Sequence, residues 1–295
     1  MQSLRAALTG VLTALAIVLG ATSPHAEGRL NVVASFSILA DFVKNVGGDR
    51  VNVTSLVGPN GDVHVYTPAP RDAKTIADAR LVIINGLGLE GWLPRLLQSS
   101  GSKAVVVTAS NGVDPLKLGS ETDPHAWQSV ANAEIYVRNI RDALVEADGA
   151  GADYFGRNAE RYLAELDALD REVRGDVDEI PLERRKVIST HGAFGYFAKA
   201  YGITFIAPSG VSTETEASAR DVAAIIAQVK KDKIPAVFLE SITDDRLMRR
   251  IAEETGARVG GTLFSDSLTD EKGPSPTYIA LVRHNIKALT GALGR

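Results

Sequence analysis

Between residues 153 and 180, the apolar side chains Phe155, Ala159, Tyr162, Leu166, Leu169, Val173, Val177 and Ile180 recur at alternating spacings of three and four, with Arg, Asp and Glu filling the positions between them. That pattern is a single apolar stripe on one side of a long amphipathic helix. At 1.5 Å per residue the helix runs roughly 40 Å, about the length of a small domain, and Pro181 stops it. A rod of this length constrains the fold more than any other feature of the chain, because the segments before and after it must pack along it or at its ends.

Both flanks are βα-repeating. Ahead of the helix, strand-like runs occur at Leu30 to Ala34, Val51 to Val57, Leu81 to Ile84 and Ala104 to Thr108, with helical segments around Ile38 to Val46, Arg71 to Ala79 and Val130 to Glu146. Behind it, strands are expected at Lys186 to Ser189, Thr204 to Ala207, Ala236 to Leu239 and Arg258 to Phe264, and helices at Ala193 to Tyr201, Ala217 to Lys231, Asp244 to Thr255 and Thr277 to Leu289. Alternation of this kind is the signature of α/β architecture with parallel sheets. The expected fold is therefore two βα-repeating lobes with parallel sheets, residues 27–150 and 182–295, joined by one long rigid helix over 151–181. The openings of the two blocks, Val32 to Lys44 and Val187 to Lys199, resemble one another weakly, as two lobes of one design would.

Residues 1–26 read as a secretory signal peptide, with Arg5, an apolar stretch from Ala6 to Ala21, and cleavage expected after Ala26. The stretch is too short and too rich in Gly and Thr for a membrane anchor, and no second long apolar run follows it. Of the 295 residues none is Cys, which excludes a disulfide framework, a thiol nucleophile, a zinc ribbon and an iron–sulfur cluster. The missing Cys also excludes a lipid anchor on cysteine, so a Gram-negative periplasm fits better than a cell that must tether its binding proteins. With Lys+Arg 32 against Asp+Glu 36 and a net charge of -4 there is no basic field for nucleic acid.

Two enzyme signatures need an answer. Gly86-Leu87-Gly88-Leu89-Glu90-Gly91 follows the strand ending at Ile84 and matches a dinucleotide fingerprint, but Pro94 comes soon after, and the next strand runs into Thr108-Ala109-Ser110-Asn111 without the acid that would hold a ribose. There is no nucleophile elbow, no HExxH and no pair of histidines at helical spacing.

Five histidines remain. His25 falls in the signal peptide, and His284 is expected on the exposed side of the last helix. His64 lies in a loop after a strand, His125 in the turn Asp123-Pro124-His125-Ala126-Trp127, and His191 directly after the strand at Lys186 to Ser189, where it is expected to open a helix. All three occupy the loops at the C-terminal ends of strands, where open α/β sheets bind their ligands. A helix N-terminus at His125 and His191 would favour neutral rings, as metal ligation requires. Asp266, at the end of the last strand, is a fourth group of suitable type. Three imidazoles and a carboxylate suit tetrahedral zinc, although spacings of this size leave open whether the three histidines converge or are separate loop residues.

At these residues the chain resembles the metal-binding solute receptors of bacterial ABC importers, the zinc and manganese receptor family (cluster A-I, solute-binding protein family 9). Matching segments occur in order: Asp62-Val63-His64-Val65-Tyr66-Thr67-Pro68, Asn85 to Trp92, Asp123 to Trp127, Thr190 to Tyr196, and Asp266-Ser267-Leu268 with Gly273-Pro274. The resemblance implies that His64, His125, His191 and Asp266 are the metal ligands, two from each lobe. It further implies that the cargo is Zn(II), with Mn(II) or Fe(II) as the alternative, and that the partner is a membrane permease with a separate ATPase. The protein itself would be a monomer that neither spans the membrane nor binds nucleic acid. Val63 stands where the family often has Pro, and the loop from Asn111 to Thr122 lacks the His-rich insertion of many zinc receptors. His191 stands where manganese and iron receptors tend to place Glu, whereas Asp266 to Tyr278 looks more like that branch. Asp62, Asp123 and Glu240 are candidates to accept a ring N–H from a ligand. A metallohydrolase, which would need an open coordination position and a nearby base, and a metal-dependent adhesin are the rival functions.

Overall fold

The computed structural model describes residues 28–294; the signal peptide expected at 1–26 lies outside them. In the first lobe β1 (Leu30–Phe36) leads into α1 (Ser37–Gly47), followed by β2 (Val51–Val57), α2 (Pro70–Ala77), β3 (Leu81–Ile84), α3 (Leu93–Ser100) and β4 (Val105–Thr108). A short hairpin of β5 (Lys117–Leu118) and β6 (Glu121–Thr122) precedes α4 (Val130–Ala147) and then α5 (Ala152–Asp178). The second lobe comprises β7 (Lys186–Ile188), α6 (Gly195–Tyr201), β8 (Thr204–Ile206), α7 (Ala219–Asp232), β9 (Ala236–Glu240), α8 (Arg246–Thr255), β10 (Arg258–Leu263) and α9 (Tyr278–Leu293).

Each lobe holds a four-stranded parallel sheet, ordered β2-β1-β3-β4 in the first and β10-β9-β7-β8 in the second. Numbered by position within its own lobe, and read from the opposite edge, the second order is the same as the first. The weak likeness between the openings of the two blocks therefore corresponds to one topology used twice. Central strands are apolar along their length because helices cover both faces: β3 reads Leu-Val-Ile-Ile, and β9 reads Ala-Val-Phe-Leu before ending on the buried Glu240.

The helix read from the apolar stripe is α5, 27 residues long, and Phe155, Ala159, Tyr162, Leu166, Leu169, Val173 and Val177 are all buried along it. It packs against α1 and α4 of the first lobe and α9 of the second, so it is a core helix of both lobes as well as the link between them. Its apolar face belongs to one continuous core that runs from Phe42 and Tyr136 through Tyr162 to Tyr278 and Leu281. Hydrogen bonds reinforce the seam. Trp127 Nε1 and Gln128 Nε2 donate to Ser265 O at 2.9 and 2.7 Å, Tyr278 Oη donates to Trp127 O at 2.6 Å, Asn60 N donates to Leu268 O at 2.8 Å, and Leu268 N donates to Ser37 Oγ at 3.0 Å.

Three local expectations need correction. Pro94 does not prevent a helix after the glycine-rich turn; it occupies the first turn of α3, where its missing N–H costs nothing. His191 does not open a helix, because α6 starts at Gly195. His284 is half-buried, with Nε2 3.0 Å from Thr262 O and its ring against Phe264.

Candidate metal centre

His64, His125, His191 and Asp266 come together where the two sheets face one another, each offering a ligand-type atom within 4.8 Å of the others. His64 Nε2 is 3.2 Å from His125 Nε2, and Asp266 lies 3.6 Å from His64 Nε2, 3.4 Å from His125 Nε2 and 3.2 Å from His191 Nε2. These values match the edge of a tetrahedron, which is about 1.6 times the metal–ligand distance, or roughly 3.3 Å for zinc bonds of ~2.0–2.1 Å. The side chains of all four are 4% exposed or less, so solvent does not satisfy them. His191 Nε2 and Asp266 Oδ1 have no hydrogen-bond partner among the described residues. Buried polar atoms left in that state are costly, and a divalent cation would satisfy them.

The loops are held by neighbours of three kinds. Asp123 accepts the His125 backbone N–H at 2.9 Å and lies 2.8 Å from its ring Nδ1. Glu240 accepts the backbone N–H groups of Thr190 and His191 at 2.8 and 3.1 Å, and its other oxygen lies 2.7 Å from His191 Nδ1. Both carboxylates orient a ring so that Nε2 faces inward, a common arrangement around metal-binding histidines. Asp62 differs: it accepts the His64 backbone N–H at 2.8 Å, and its second oxygen accepts Thr213 Oγ1 at 2.6 Å from the other lobe. Gly195 leaves room for Asp123, since a Cβ there would sit 2.4 Å from Asp123 Oδ2 and push on the carboxylate that holds His125.

The glycine-rich segment that imitates a nucleotide fingerprint scaffolds this centre. Gly86 and Gly88 take φ of 78° and 87°, which glycine adopts without strain, and Leu87 between them is also left-handed, at 55°. Glu90 closes the turn by accepting Asn85 N at 2.6 Å and Gly86 N at 3.1 Å. Asn85 Nδ2 donates to Pro124 O, and Trp92 Nε1 donates to Val63 O, both at 2.9 Å. One turn thus fixes the loops of both His125 and His64. The packing role of Asn85 and Trp92, and the reach of Thr213, escape sequence reasoning because their partners are distant in the chain.

Electrostatics follow from burial among opposite charges. Burial opposes an imidazolium at His191, but Glu240 and Asp266 outweigh it and push the His191 pKa well above 6.5. Burial likewise opposes ionisation of Asp266 and Glu240. The imidazoles of His125 and His191 nevertheless hold Asp266 well below 3.8, and His191 holds Glu240 below 4.5. Both carboxylates thus favour a proton on His191 in the metal-free site, and a cation bound at Nε2 competes with that proton. The helix-dipole argument for a neutral ring does not apply to His191.

The family described as zinc-uptake complex component A, periplasmic, matches residues 32–292. The iron-binding protein YfeA of Yersinia pestis is 37% identical over 273 residues, covering 90% of this chain and 87% of that protein. The manganese ABC transporter substrate-binding lipoprotein PsaA of Streptococcus pneumoniae is 30% identical over 292 residues, covering 95% and 94% respectively. Among solved structures, the periplasmic zinc binding protein TroA from Treponema pallidum superposes with a TM-score of 0.87 at 32% identity, covering 91% of this chain and 100% of that one. Similarity over nearly the whole chain, to proteins named for binding iron, manganese or zinc and, for PsaA, as an ABC transporter's substrate-binding lipoprotein, accounts for a buried cluster of metal-ligand side chains. The chain belongs to the zinc-uptake complex component A family and is the metal-binding component of an ABC metal transporter, a binding protein and not an enzyme.

Proposed function

We propose that this protein binds Zn(II) through His64, His125, His191 and Asp266 in the periplasm and delivers it to a membrane permease driven by a separate ATPase. In this reading residues 1–26 export the chain, 27–150 and 182–295 are the two metal-binding lobes, and 151–181 joins them. The observation that carries it is the convergence of three imidazoles and one carboxylate at tetrahedral separations in a buried site. Relatives are named for iron, manganese and zinc, so kinship alone does not choose the metal, and donor chemistry is what supports zinc. Imidazole-rich sites suit zinc, whereas manganese sites enlist more oxygen, and here the third donor is His191. The absence of Cys from the sequence supports an unlipidated periplasmic protein, and no helix among the described residues is long and apolar enough to cross a membrane.

Elemental analysis of protein recovered from its native compartment tests the metal, because affinity measured in isolation favours zinc over manganese at almost any such site. Zinc at one ion per chain is expected. Manganese or iron at that stoichiometry, retained when the cells are grown with adequate zinc, would overturn the assignment.

A further inference from the structure

The four donors are sealed, so an ion enters or leaves only when something moves, and the lobe seam is unequal around its circumference. On the α1 and α9 side it is closed by continuous apolar core and by several hydrogen bonds, including those from Trp127 and Gln128 to Ser265 O and from Leu268 N to Ser37 Oγ. On the hairpin side, Leu116 N donates to Tyr196 Oη at 2.9 Å, and Val130 N donates to Tyr201 Oη at 3.2 Å. The remaining side contains a cavity of about 610 Å³ that reaches His191. Its lining comes from the second lobe except for Asp62. The hydrogen bond from Thr213 Oγ1 to Asp62 Oδ2, 2.6 Å long, crosses between the lobes at that point.

Thr213 lies in residues 207–218, between β8 and α7, a segment with no helix or strand of its own. Gly192 N donates to Gly210 O at 2.8 Å, which ties this segment directly to the residue after His191. Asp62 is equally close to the site on the other side, through the His64 backbone N–H. A displacement that parts Thr213 from Asp62 would widen this cavity past His191 to the other buried donors while the apolar seam stays closed.

We propose that Asp62 and Thr213 form the latch of the metal's passage, and that residues 207–218 swing aside with each uptake and release. The proposal rests on the four-donor reading of the site. The latch is a hydrogen bond between a hydroxyl and a carboxylate, present with the site closed and broken only in transit, so its loss lowers the barrier in both directions. Asp62 and Thr213 are positioning residues that touch no metal.

The test is stopped-flow kinetics with zinc ion alone, followed by tryptophan fluorescence, since Trp127 packs on the His125 ring at 5.3 Å between centroids. Thr213→Val is expected to speed both uptake and chelator-driven release by about tenfold, the usual scale for one charge-assisted hydrogen bond, with Kd within twofold of wild type. Thr213→Ser restores the wild-type rates. Unchanged rates in Thr213→Val, no rescue by serine, or faster release alone with weaker binding would each overturn the latch. Failure of the wild-type protein to bind zinc at one per chain would instead overturn the four-donor reading.

Discussion

Replacing His125 by alanine is expected to weaken zinc binding by roughly 10²–10³-fold while the protein remains folded. The ring is fully buried, its Nδ1 fixed by Asp123, and its Nε2 lies 3.2 Å from His64 Nε2 and 3.4 Å from Asp266. A four-ligand zinc site contributes about 10–16 kcal/mol in all, so one ligand accounts for roughly 3–4 kcal/mol, and each ~1.4 kcal/mol is tenfold in affinity. Glu240→Gln is expected to cause a smaller loss, about 10–100-fold, because it removes the charge that orients His191 but not a ligand. Chelator competition measures both variants, with circular dichroism as the control for folding. If His125→Ala bound zinc within threefold of wild type, His125 would not be a ligand.

Saturating zinc is expected to raise the melting temperature by about 10 °C near pH 8, and by clearly less near pH 5.5. A ligand at a thousand times its Kd stabilises by ~4 kcal/mol, and each kcal/mol shifts a chain of this size by about 2–4 °C. The pH dependence follows from the buried triad. His191 has a pKa raised above 6.5, so in the metal-free protein it contributes stability that is fully present below pH 6.5 and lost as pH rises through the raised value. Asp266 and Glu240 are lowered from 3.8 and 4.5, so they contribute stability that is present above those values and lost as pH falls through the lowered ones. The triad therefore supports the metal-free protein best in the window between 4.5 and 6.5. Zinc must displace the His191 proton in that window, and does so more easily as pH rises. Calorimetry at the two pH values, with and without zinc, checks this; a zinc-induced shift larger at pH 5.5 than at pH 8 would contradict it.

Much of the architecture was legible because it depends on short-range pattern. The stripe from Phe155 to Val177 defines α5, and apolar runs such as Leu81 to Ile84 define the buried central strands. The boundary errors have local causes. Pro94 is ambiguous between stopping a helix and starting one, and α3 is the second case. The β5–β6 hairpin rests on two-residue strands with no periodicity to read. At the centre, residue type and loop position nominate His64, His125, His191 and Asp266, but their convergence depends on the packing of two sheets across α5, which no local pattern encodes. The same limit hid the division of labour among the three candidate carboxylates. Asp123 and Glu240 face ring nitrogens, whereas Asp62 faces Thr213, 151 residues away in sequence. His191 also shows how a local rule can mislead: the expected helix dipole is absent, and two carboxylates brought from elsewhere in the chain set its protonation.

The central claim, that three imidazoles and one carboxylate from two lobes hold a single zinc ion, is tested most directly by X-ray absorption spectroscopy of the zinc-loaded protein. The account predicts a four-coordinate first shell of nitrogen and oxygen at ~2.0–2.1 Å, with outer-shell scattering from three imidazoles that falls to two in His191→Ala. A six-coordinate, oxygen-dominated shell, or imidazole scattering unchanged in that variant, would contradict it.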